Sequence, residues 1–260
     1  MKTFEEQRNF FLGQWPALET SLRDAGSEGL RAELDSFEDR LERSVLYMFL
    51  RQKLGMGEGA DFGAYRQVIQ HGIGQAEAEA AKLSEKKDKK KRLQFAHILA
   101  FNLGADLAPC WPGDLLPRTE EDYEAGLWAG HKALELAERL GSDPATLAND
   151  YWLLGVHEFA LGDYVEARQA WTEGVAQAWV AAGIPEEQRE LNAEAPFGVL
   201  LLEAKRSLAC LLLGDPEGRI AYEACLQHFW TQLKDSARAD DAGFGIAQCE
   251  ELRQRFVDKS

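Results

Sequence analysis

The chain has few of the residues that staple or interrupt a fold. Four cysteines occur in 260 residues, Cys110, Cys210, Cys225 and Cys249, and no two form a C-x-x-C pair. That excludes zinc-ribbon and thioredoxin-type spacings and is unlike a secreted disulfide scaffold. Valine, isoleucine and threonine are scattered and strict apolar–polar alternation is rare, which argues against a sheet. Long apolar runs are missing too. The longest, such as Leu208 to Leu213, are far too short to cross a bilayer. Met1 to Phe11 carries Glu5, Glu6 and Arg8 among its apolar residues and so lacks the unbroken core of a signal peptide. The expected location is the cytoplasm. Basic residues are in deficit, 29 against 44 acidic, for a net charge of −15. Such a surface repels phosphate backbones, so neither nucleic acid nor membrane is an expected partner, whereas a basic partner is favoured.

Against these absences stand 45% apolar and 10% aromatic residues, enough to fill a core. Their spacing is helical. Leu34, Phe37, Leu41, Val45 and Met48 recur at three- and four-residue steps, as do Leu93, Ala96, Ala100 and Leu103, and Leu127, Leu134 and Ala137. The eight prolines cluster at the gaps, with Pro109, Pro112 and Pro117 in one stretch and Pro144, Pro185, Pro196 and Pro216 elsewhere. The pattern predicts helices near 3–13, 15–25, 29–55, 61–84, 88–105, 120–140, 145–161, 163–181, 196–213, 216–235 and 240–257. Pro16 is expected to bend or split the first segment. Gly55 to Gly59 reads as a helix stop. The basic run Glu85 to Arg92 opposes the dipole of a helix start and is expected to be a solvated, fraying end.

One phrase recurs. Leu154-Gly155 is followed by Ala160-Leu161-Gly162-Asp163-Tyr164-Val165-Glu166-Ala167, then by Trp171 and Gly174. Asp122-Tyr123-Glu124-Ala125-Gly126 with Lys132 to Leu136 repeats part of it, as does Leu213-Gly214-Asp215-Pro216 with Ile220, Ala221 and Cys225. This phrase resembles the tetratricopeptide repeat. The resemblance implies an all-α fold, a right-handed α-α superhelix of helical hairpins. Gly155 would lie where helices A and B meet, Gly162 and Asp163 would form the turn, Tyr164 would pack across it and Ala167 would sit at the close contact. Small residues at such crossings let antiparallel helices approach, while large aromatics fill the wedges. Arg92 to Leu103 would be the helix A that pairs with Asp122 to Leu136. The spacing is irregular: Asp122 and Asp163 stand 41 residues apart, Asp163 and Asp215 52. The family period is about 34, so insertions fall at 105–121 and 182–196. The expected organisation is an N-terminal helical region over 1–86, a repeat array over 87–235 and a C-terminal capping helix over 236–260.

Motifs for chemistry are missing. There is no G-x-x-x-x-G-K-[ST], no G-x-S-x-G and no H-E-x-x-H; His157-Glu158 begins like the last, but position 161 is Leu. The five histidines lie on different predicted helices and none follows a Glu at the third position. No metal, no cofactor and no catalytic residue is expected, and Cys110 has no assignable base. The reading is of a binding protein, not an enzyme.

Two candidate sites remain. The resemblance implies a concave face lined by helix A, here Asn149, Trp152, Val156 and Phe159 at i, i+3, i+7 and i+10. Its occupant would be a protein or peptide segment, basic or apolar, with Trp152 and Phe159 as anchors. Equally, this stripe is core, covered by the N-terminal helices or by the 182–196 loop. The alternative site is a small-molecule pocket beneath the two insertions, with Trp111, Asp114, Arg118 and Glu187 as candidates, in a sensor or an enzyme. A third reading is a structural subunit that forms a homo-oligomer.

Overall fold

A computed structural model describes residues 3–57 and 59–258. Among them are ten α-helices and no strand: α1 (Phe4–Asp35), α2 (Arg40–Leu50), α3 (Phe62–Lys82), α4 (Lys86–Leu107), α5 (Glu120–Leu140), α6 (Pro144–Leu161), α7 (Tyr164–Ala181), α8 (Phe197–Leu212), α9 (Pro216–Gln232) and α10 (Ala239–Leu252). The all-α expectation holds. The chain divides into two compact units, Met1–Leu107 and Ala108–Ser260.

In the first unit α1 packs on α2 and α3, and α3 pairs with α4. Thr3 and Glu6 start α1 with a reciprocal capping box. Pro16 does not split this helix. The break comes at Ala25 and Gly26, where Gly26 takes φ +63°. The predicted helix 29–55 is interrupted at Ser36 to Asp39, and Asp39 restarts it by accepting the amides of Leu41 and Glu42 at 2.7 and 3.1 Å. That interruption shifts the phase, so Leu41 is exposed while Leu46 and Leu50 are fully buried. The lysine run does not fray; α4 begins inside it at Lys86. Buried charges here are paired. Glu79 lies between Arg43 and Arg92, the latter with Nε at 2.6 Å. Asp106 accepts from Arg51 Nη2 at 2.6 Å and from the Tyr65 hydroxyl at 2.7 Å.

In the second unit each helix from α5 to α10 packs on the next, and α10 returns to α8. The helix expected to pair with α5 belongs to the first unit, where it packs on α3; α5 pairs forward with α6. The turns follow their sequence signals. Asp143 caps α6 with Pro144 in its first turn, and Gly162 ends it at φ +89°. Asp215 and Pro216 start α9 in the same way. The segment 182–196 is held to the end of α9, because Gln232 Nε2 donates to the carbonyls of Ala193 and Ala195, each at 3.0 Å. The last helix ends at Leu252 and continues as a π-helical turn, Arg253–Val257.

A close crossing joins α6 and α7. A Cβ built on Gly155 would stand 2.5 Å from Nε1 of Trp171 and 2.7 Å from two further indole atoms. Trp171 is fully buried and donates its indole N–H to the Trp152 carbonyl at 3.3 Å. Phe159 meets Trp171, Tyr164 and Phe256 with ring centroids 5.3 to 5.9 Å apart. Gly155→Ala is therefore expected to force the indole aside. The expected loss is about 1–3 kcal/mol, the usual range for overpacking, read as a lower urea midpoint at unchanged m-value. A variant as stable as the parent would show that the contact is slack.

Candidate functional site

The four predicted concave-face residues part company in the structure. Val156 and Phe159 are fully buried and Trp152 is 7% exposed, whereas Asn149 is exposed. Every residue from Trp152 to Phe159 is buried, so this stretch of α6 is a core helix. Trp152 is covered by Trp111 at 5.5 Å between ring centroids, and Trp111 in turn by Phe244 at 6.1 Å. The insertion at 105–121, not the one at 182–196, closes over the stripe.

Lys205 of α8 completes the cover. It is fully buried, with Nζ 4.8 Å from the Trp152 ring centroid and donating to Gln248 Oε1 at 2.8 Å. No carboxylate among the described residues pairs with it. Burial pulls its pKa down, and the neighbouring thiols of Cys110 and Cys249 only partly oppose this. Burial likewise pushes the Cys110 thiol up, and that of Cys249 to about 12. Both cysteines are held as inert thiols.

The loop-pocket residues also separate. Arg118 pairs with Asp114 at 2.5 Å and donates to the Leu116 carbonyl at 2.9 Å. Arg255 ties the C-terminal turn to the same loop through the Asp114 carbonyl. A cavity of about 570 Å³ opens beside them, with Arg118, Tyr123, Arg255 and Phe256 in its wall. Trp111, Asp114 and the exposed Glu187 are not part of that wall.

A second cleft, of about 400 Å³, lies between α6 and α7. Tyr151, Leu154 and Glu158 face it from α6 at steps of three and four. Glu166, Gln169, Ala170 and Glu173 face it from α7 at the same steps. The two helices thus contribute one stripe each. Glu158 is 7% exposed and its Oε2 has no hydrogen-bond partner. Burial raises its pKa from 4.5 to about 7, and the negative charges of Glu166 and Asp163 add to the shift. The preceding residue, His157, points elsewhere. It is fully buried, with its ring over Gly126 of α5, where a Cβ would come within 2.0 Å. Among the described residues no group of three or more His, Cys, Asp or Glu side chains is placed to hold a metal ion. The three carboxylates of the cleft are spread along its walls.

Glu158 was weighed in the sequence only as part of an incomplete H-E-x-x-H motif, yet it left another signal. It is the one carboxylate within Trp152-Leu-Leu-Gly-Val-His-Glu-Phe159, an otherwise apolar run apart from His157. A charge in such a run is paired, bound to a ligand or neutralised by a shifted pKa.

The raised pKa sets a stability dependence. The folded chain holds the Glu158 proton between pH 4.5 and about 7, where the unfolded chain has released it. Stability from this group therefore falls as pH rises through that window and levels off above it. Glu158→Gln should remove this slope, so that denaturant midpoints of variant and parent diverge with rising pH. Parallel curves would place the carboxyl in ordinary solvent. Comparison with protein-family models, with curated proteins and with solved structures finds no match for this chain, so its own residues carry the functional reading.

Proposed function

We propose that this chain is a protein- or peptide-binding scaffold of tetratricopeptide-like helix pairs, and that it engages its partner at the α6–α7 cleft. The observation that carries this is Glu158, a buried carboxyl with an unpartnered oxygen at a cleft built from matched stripes of two helices. Elsewhere the part-buried Glu79 and the buried Asp106 have their cations inside the fold. A cleft between rigid helices presents such a group with little reorganisation, which favours recognition. The resemblance of Leu154 to Gly174 to the repeat family supports the same reading. Among the described residues no helix is long and apolar enough to cross a membrane, and with sparse cysteine and an acidic surface we read the chain as cytoplasmic.

Gln169 is exposed at the rim of the cleft. Gln169→Trp should fill the cleft without disturbing the core. Peptides selected from a random display library against the parent are expected to lose about tenfold or more in affinity for this variant, about 1.4 kcal/mol. They should bind Asn149→Ala unchanged. Selected peptides that bind Gln169→Trp as well as the parent would remove the cleft from recognition.

A second reading rests on the 570 Å³ cavity beside Arg118 and Arg255, which has the size and mixed lining of a small-molecule site. A ligand there would raise Tm by mass action. A metabolite screen by thermal shift should then yield stabilisers whose effect is lost in Tyr123→Ala. A flat screen would leave the cavity as a structural gap.

A further inference from the structure

We infer that the α6–α7 cleft seats a single arginine side chain of the partner, with its guanidinium between Glu158 on one wall and Glu166 on the other. The inference rests on the binding reading above and adds the chemistry of the occupant.

Charge comes first. The groups that bear on Glu158 are Glu166 of α7 and Asp163 of the turn, both negative, and Glu173 adds a third carboxylate along α7. A carboxyl that is 7% exposed, unpartnered and set among like charges is destabilised in its ionised form. A cation inside the cleft reverses that balance, because it pairs with the carboxyl group and neutralises the field together. The net charge of −15 draws basic segments toward the surface as a whole.

The shape of the cation follows from the donor count. The walls offer carboxylate oxygens from two helices and the Gln169 amide oxygen, spread along the cleft instead of converging on one point. A metal ion needs convergence. A guanidinium spreads five donors over a plane, is weakly hydrated and stacks on aromatic faces, so it suits dispersed acceptors beside Tyr151. An ammonium is compact and strongly hydrated and would leave some acceptors unmet. The apolar part of the side chain has Leu154 and Ala170 to lie against.

The test uses the full chain and three blocked tripeptides, acetyl-Gly-Xaa-Gly-amide, with arginine, lysine or citrulline at the centre. Citrulline keeps the shape of arginine and removes its charge. Binding is followed by carboxyl-carbon NMR of Glu158 and by amide shifts of Gln169 and Ala170. The arginine peptide should bind saturably and lower the apparent pKa of Glu158, since the cation favours the ionised form. Citrulline should bind about tenfold or more weakly, and Glu158→Gln should cost the arginine peptide a similar factor. Glu166→Gln is the second variant, exposed and safe for folding, and should weaken binding by a smaller factor. Equal binding of citrulline, or full binding by both variants, overturns the inference. Lysine binding as tightly as arginine overturns the guanidinium assignment. Library peptides that sense Gln169→Trp but lack arginine would overturn this inference and leave the binding reading intact. Failure of every library peptide to sense Gln169→Trp would overturn the binding reading itself.

Discussion

The close approach of α6 and α7 at Gly155 is the contact on which the second unit turns. Without a side chain at that position the Trp171 indole lies flat against the α6 backbone and reaches the Trp152 carbonyl. Gly126 does the same on the opposite side, where it admits the His157 ring against α5. With helices close on both flanks, α6 becomes a core element over a whole run of residues. The side chains along that run then have no solvent to turn to. Trp152 must find Trp111 and Lys205, Phe159 must find Tyr164 and Phe256, and Glu158 is left facing the cleft.

The first unit pairs its buried charges and the second does so only in part, as at Arg118 and Asp114, and this gives Glu158 its weight. In the first unit Arg43 and Arg92 share Glu79, and Arg51 and Tyr65 share Asp106. Ion pairs of this kind hold helices in register, since removal of one partner strands the other in a medium that solvates it poorly. In the second unit Lys205 has an amide and two thiols for neighbours, and burial shifts it toward the neutral amine. Glu158 has a neighbourhood of like charge and an open side. The first arrangement sets cations against carboxylates and the second sets an amine against an amide, whereas Glu158 has no cation or hydrogen-bond donor on its Oε2.

Much of the helical content was legible because caps and breakers are local. Asp143-Pro144 and Gly162 mark both ends of α6, Asp215-Pro216 the start of α9, and the stripe Leu93, Ala96, Ala100 and Leu103 is buried as its spacing predicts. The misreadings were also local in origin. Pro16 was weighed as a breaker, yet α1 runs through it, and Gly26 at positive φ breaks that helix instead. Asp39 was not weighed as a cap, so two helices were run together across 36–39. The candidate site was barely legible. Trp152, Val156 and Phe159 were marked by their spacing, but spacing cannot distinguish an exposed stripe from a covered one.

The sequence by itself determined that the chain is helical, where most helices start and stop, and that Gly155, Gly162 and Trp171 belong to one hairpin. These follow from backbone preferences and from side-chain size within a few residues of one another. Only the tertiary structure decided that α4 joins α3, that the 105–121 insertion covers Trp152, and that a carboxyl on α6 shares a cleft with carboxyls on α7. Those outcomes depend on which surfaces compete for burial across the folded unit, a long-range balance of desolvation and packing that no local pattern encodes.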